Sequence, residues 1–170
     1  MTGGMTDATP IQVEADALHI ARSRYLDAFA GLEMALGEVL RAFGQAAQNA
    51  PMGQRLTKLR ALPPGPLLSK ANAARMSALA DRIAVAANIR ADIVHGRATA
   101  HIIDGTVTFR LVNPAHANEQ PPLCRLLTKV DLERLSQQAK ALTGEIKALC
   151  RNVSPASSPP PPSPGAAGGP

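Results

Sequence analysis

From residue 13 to residue 48 the chain has no proline and repeats Leu18, Tyr25, Phe29, Leu32, Leu36, Val39 and Phe43 at steps of three, four or seven. That spacing aligns apolar side chains along one face of a helix turning every 3.6 residues. A strand would need alternation by two, so a long amphipathic helix is the element this stretch dictates. Gly31, Gly37 and Gly44 weaken it only modestly. A helix of that length needs partners for its apolar face, and the rest of the chain supplies them. Aromatic residues make up only 2% of the sequence while hydrophobic residues make up 45%, so the core is built from Ala, Leu, Ile and Val. Such a composition suits helices better than sheets.

Further along, residues 51–62 carry Met52, Leu56 and Leu59 as a short helical stripe, stopped by Pro63, Pro64 and Pro66. Residues 68–95 carry Met76, Leu79, Ile83, Ala86 and Ile93 at helical spacing, with Gly96 expected as a left-handed cap. The period then changes to two. Residues 99–103 and 106–112 flank Asp104-Gly105, which predicts a β-hairpin with Val107, Phe109 and Leu111 on its buried face. Asn113-Pro114 closes it, and residues 115–127 read as a loop. Thr128 and Asp131 form a variant capping box for a last helix reaching about residue 149. Its Leu132, Leu135, Ala139, Leu142, Ile146 and Leu149 make a coiled-coil-like seam. The expected fold is all-α: a helical bundle spanning 12–151 with a small β-hairpin inserted before the last helix. Residues 1–11 and the Pro-, Ser- and Gly-rich residues 152–170 are expected to be disordered.

The net charge of +5 permits a polyanionic partner without demanding one, since no Lys/Arg run is present. Cys124 and Cys150 lie in different predicted elements, make no metal spacing and read as reduced thiols. His19, His101 and His116 share no ligand spacing with them, and no metal or other cofactor is expected. No Gly-rich phosphate loop or nucleophile elbow occurs. No apolar run approaches a membrane span, and no secretory leader is visible, so a cytoplasmic location is expected.

The unusual segment is 88–96. Arg90 falls on the apolar stripe, in the series Leu79, Ile83, Ala86, Arg90, Ile93. A guanidinium there is costly unless it is paired or faces a wet cleft. His95 follows five residues later, ~140° around the helix. Asp92 and His95 are three apart and so are surface neighbours, which lets Asp92 orient the imidazole. Histidine exchanges protons near neutral pH, and arginine supplies permanent charge against a phosphate or a pentacoordinate transition state. Read without function, Arg90 pairs with a core carboxylate such as Glu33, and His95 is punctuation at a helix end.

The string Arg90-Ala91-Asp92-Ile93-Val94-His95-Gly96, late in a long helix, resembles the Arg-x4-His motif of the HEPN family in its Arg-Asn-x-x-Val-His-Gly form. Tyr25, Phe29, Leu32 and Glu33 also look like that family's first helix. The likeness covers roughly residues 14–150 in layout, but its specific motif is this heptapeptide alone. It implies a helical bundle that dimerises, with Arg90 and His95 of both chains facing one cleft and cleaving RNA without metal. Asp92 and Glu33 are supporting candidates from spacing and pairing. It further implies the toxin of a toxin–antitoxin or defence system, with an antitoxin or nucleotidyltransferase as partner. Two positions depart from the pattern. Ala91 stands where active members usually carry Asn, Asp or His. Arg97 stands where some family toxins carry a tyrosine that their partner modifies. The alternatives are a catalytically weak or inactive module binding RNA, a nucleotide or a protein, and a structural dimerisation domain.

Overall fold

The computed structural model describes residues 9–46, 50–116 and 124–150. The expectations for residues 1–8 and for the tail beyond 150 lie outside the described residues. Among the described residues there are four helices and a three-stranded antiparallel sheet: α1 (Pro10–Ala42), α2 (Met52–Arg60), α3 (Lys70–His95), β1 (Arg97–Ile103), β2 (Thr106–Val112), β3 (Cys124–Leu127) and α4 (Lys129–Cys150). A short 3-10 turn, Pro114–His116, follows β2.

α1 starts earlier and stops earlier than its apolar period predicts. Pro10 takes the first helical turn, and the Thr9 hydroxyl accepts from the Gln12 amide at 3.4 Å. At the other end Gly44 adopts φ +69°. Its amide donates to Arg41 at 2.9 Å and the next amide, of Gln45, to Leu40 at 2.8 Å. These two bonds are a Schellman closure, so a glycine first read as tolerated within the helix is the residue that ends it. α3 is capped by Ser69, whose hydroxyl accepts from the Asn72 amide at 3.2 Å.

Leu18, Tyr25, Phe29, Leu32, Leu36 and Val39 are all buried, as their spacing requires. α1 packs most extensively against α4. Residues 13–18 lie beside 128–130 and residues 21–28 beside 130–140, so the two helices run in the same direction. α4 also meets α3, where residues 72–82 and 145–149 line one groove and Arg82 grips Glu145 through both carboxylate oxygens. The seam of α4 is thereby consumed within the chain: Leu132, Ala139, Leu142 and Ile146 are buried.

The sheet corrects the expected hairpin in one respect. Asp104 (φ 48°) and Gly105 (φ 75°) form the predicted turn, and β1 pairs with β2 from Arg97↔Val112 to Ile103↔Thr106. A third strand, β3, occupies what read as loop and pairs with β2 from Phe109↔Leu127 to Val112↔Cys124. Four residues are too few to show a period, and Pro121-Pro122 just before them reads as a breaker. Only long-range pairing to β2 makes the segment a strand. Val107, Phe109 and Leu111 face the helices, with the His19 ring edge-on to Phe109 at 4.8 Å.

Candidate active site at the end of α3

Gly96 ends α3 without the left-handed geometry expected of it: φ is −72° and ψ 139°, extended backbone that leads straight into β1. Glycine is needed for a different reason. A Cβ there would sit 2.3 Å from the Asp92 carbonyl oxygen and 3.5 Å from the Leu111 Cβ. The close approach of the last helical turn to β2 leaves no room for a side chain. This join fixes the end of the helix, and His95 with it, against the sheet.

His95 is exposed, and among the described residues its ring makes no hydrogen bond. It lies on a cleft of about 850 Å³ whose walls include Asn88, Ala91, Asp92, Asn113 and Arg125. Asp92 does not orient the imidazole. The residue is buried, and its carboxylate is turned toward the sheet. One oxygen accepts from Asn113 Nδ2 at 3.0 Å, and the other from Arg125 Nε at 2.9 Å and Nη2 at 2.7 Å. The Asn113 oxygen in turn accepts from the Ala115 amide at 3.0 Å. Asp92 is therefore a clamp that ties α3 to the end of β2 and to β3. That differs from the role its spacing to His95 implied, because a buried carboxylate follows its strongest donors rather than the nearest ring on its own helix.

Arg90 occupies the stripe position predicted for it, between the buried Ala86 and Ile93. Its guanidinium lies 6.0 Å from the centre of the Phe29 ring. One nitrogen is 3.9 Å from Glu33 Oε1, with both side chains about one-third exposed, 35% and 32%. The pair is at the outer limit of an ion pair and partly wet, so it contributes little stability. Arg90 is not among the residues that wall the His95 cleft. Within one chain, then, the two motif residues flank the helix end on different sides, as ~140° of separation requires.

Two further arginines complete the surroundings. Arg22 of α1 donates from Nη2 to the Ile93 carbonyl at 2.7 Å, satisfying an acceptor in the last turn of α3. Arg125 reaches the cleft from β3. Tyr25, under this cluster, donates to the Ala86 carbonyl at 3.3 Å. Burial pushes its phenol up to about 12, against the opposing pull of the Arg90 and Arg125 charges. Arg125 and Asn113 are the cleft residues that sequence reasoning missed. Asn113 read as a turn residue, and Arg125 fell in the expected loop, so neither carried a local signal.

Among the described residues no group of three or more His, Cys, Asp or Glu side chains comes together as a metal site. No described helix is long and apolar enough to cross a membrane. Comparison with known protein families, curated proteins and solved structures gives no match for this chain.

Proposed function

We propose that this chain is a HEPN-like, metal-independent endoribonuclease whose site is completed when two copies meet at the ends of their α3 helices. The observation that carries the reading is the state of His95. Its imidazole is exposed on a wide cleft, with a guanidinium from β3 in the same wall. Arg90 supports it from the other side of the helix. Its contact with Glu33, at 3.9 Å, is loose enough to yield to a stronger anion such as a phosphate. Arg90 and His95 of one copy do not wall the same cleft, so a facing copy is the economical way to bring an arginine and a histidine onto one phosphate. Apolar surface for such a meeting is available near this pair, where Met34, which follows Glu33, is 68% exposed.

In the proposed reaction a ribose 2′-hydroxyl attacks the adjacent phosphorus. His95 takes the hydroxyl proton or delivers one to the departing 5′-oxygen, and Arg90 stabilises the charge gathered on phosphorus. The products carry a cyclic phosphate and a free 5′-hydroxyl. The test is cleavage of a mixed-sequence RNA in excess chelator. Cutting persists without free metal, spares an all-DNA substrate, and falls ~10²–10⁴-fold in His95→Ala. Light scattering reports a dimer at micromolar concentration. Unchanged cleavage in both His95→Ala and Arg90→Ala overturns the proposal.

A second reading rests on Ala91. It lies in the cleft wall, where active members of the family usually carry a polar residue. In that reading the cleft binds RNA without cutting it, and Ala91→Asn is the informative reverse substitution.

A further inference from the structure

We propose that the solvent-facing side of the three-stranded sheet is a track for the phosphate backbone of single-stranded RNA, leading away from the His95 cleft. This rests on the RNA reading above, but its own test does not depend on cleavage.

The register decides which side chains share this side. Arg97 is opposite Val112, which is opposite Cys124; Thr99 is opposite Arg110, which is opposite Leu126. Directly opposed residues project from the same face. Ala98, Leu111 and Arg125 form the intervening rung and project toward the helices. The outer face therefore presents Arg97 and Arg110 as diagonal neighbours on adjacent strands, ~7–8 Å apart at the backbone. His101 follows along β1, its Nε2 2.9 Å from the Thr99 hydroxyl. Arg97, Arg110 and His101 are all exposed.

No strand position on this face is an aspartate or glutamate. Elsewhere on the surface Arg60, Arg82, Arg90, Arg125 and Arg134 face carboxylates. Among the described residues Arg97 and Arg110 have none. Two permanent charges without counter-charges, on a face that also exposes Thr99 and Thr106, complement a polyanion.

Position gives the track its direction. Arg97 comes two residues after His95. Val112, opposite Arg97, precedes Asn113, which lies in the His95 cleft wall. A strand with its reacting phosphate at His95 lays the neighbouring phosphates over Arg97 and then Arg110. Three strands span ~10 Å across, the sum of two inter-strand gaps, which accommodates one nucleic-acid strand rather than a duplex. The face carries no Phe, Tyr or Trp on which bases can stack. Recognition is therefore of the backbone: indifferent to sequence, tolerant of DNA, and sensitive to salt.

The experiment uses the full chain and two fluorescein-labelled 12-mers, 2′-O-methyl-uridine and deoxythymidine, neither offering a free 2′-hydroxyl for attack. Anisotropy titrations across a salt series give affinity and slope. Wild type binds both oligomers. Arg97→Ala combined with Arg110→Ala weakens binding about tenfold at low salt and lowers the log–log salt slope by about 1.4, two phosphates at ~0.7 each. Unchanged affinity and slope in this variant, or failure of wild type to bind either oligomer, overturns the proposal. A footprint on the unmutated protein keeps the test decisive if the variant misfolds. Cys124 is exposed on this face and Cys150 is on α4. Saturating oligomer slows alkylation of Cys124 several-fold relative to Cys150, and an unchanged ratio counts against the track. Wild type that binds the oligomers but never cuts RNA refutes the nuclease reading and leaves the track standing.

Discussion

Removing the Asp92 carboxylate tests whether this residue is a clamp or a partner of His95. Asp92→Ala deletes the acceptor for Asn113 Nδ2 at 3.0 Å and for Arg125 Nε and Nη2 at 2.9 and 2.7 Å. Breaking a fully buried ion pair typically costs ~3–5 kcal/mol, mostly through the partner left without its counter-charge. Here the Asp92 side chain is 11% exposed, but the Arg125 side chain is 37% exposed and rehydrates in part. The expected loss is thus at the lower end, about 3 kcal/mol. For a chain of this size each kcal/mol moves the melting midpoint by ~2–4 °C, so the midpoint falls by ~6–12 °C. Circular dichroism melts of wild type, Asp92→Ala, Arg125→Ala and the double variant supply the assay. If the clamp is real, the double variant is less destabilised than the sum of the two singles, by ~0.5–3 kcal/mol of coupling. Asp92→Ala melting with wild type, or fully additive single losses, refutes the clamp.

Three other outcomes follow from the same geometry. Gly96→Ala forces a Cβ against the Asp92 carbonyl at 2.3 Å and lowers stability by ~1–3 kcal/mol in urea unfolding; a neutral result means the helix–sheet join is looser than described. The chain's single tyrosine makes ultraviolet titration a one-residue measurement. Tyr25 ionises near 12 in the folded protein against ~10 when unfolded, so its stabilisation is complete below pH ~10 and is lost as pH rises toward 12; a folded midpoint at 10 contradicts its burial. Thr128→Ala removes the cap of α4, in which the Thr128 hydroxyl accepts from the Asp131 amide at 3.2 Å, and costs ~1 kcal/mol by thermal melting. The Thr128 hydroxyl and amide hold the Asp131 carboxyl below 3.8, a stabilisation present above that value and lost as pH falls through the lower folded one. Stability of Thr128→Ala therefore falls less steeply in acid than that of wild type.

The sequence by itself determined the four helices, the turn at Asp104-Gly105 and most of the core. Each of these rests on a local period or local turn chemistry, and such signals are complete within ten to twenty residues. It also singled out Arg90 as a charge on an apolar stripe and Glu33 as a carboxylate able to meet it, because a guanidinium among Ala86, Ile93 and their neighbours has to be answered from a facing helix. The tertiary structure decided the rest. β3 is a strand only because β2 offers it a ladder. Gly96 is glycine because Leu111 and the Asp92 carbonyl crowd it, not because its backbone turns left-handed. Asp92 belongs to Arg125 and Asn113 rather than to His95 because those donors arrive from 33 and 21 residues away. Sequence spacing reports which groups are neighbours on one element. Burial lets the strongest long-range donor claim a carboxylate, and that choice is made only when separate elements pack.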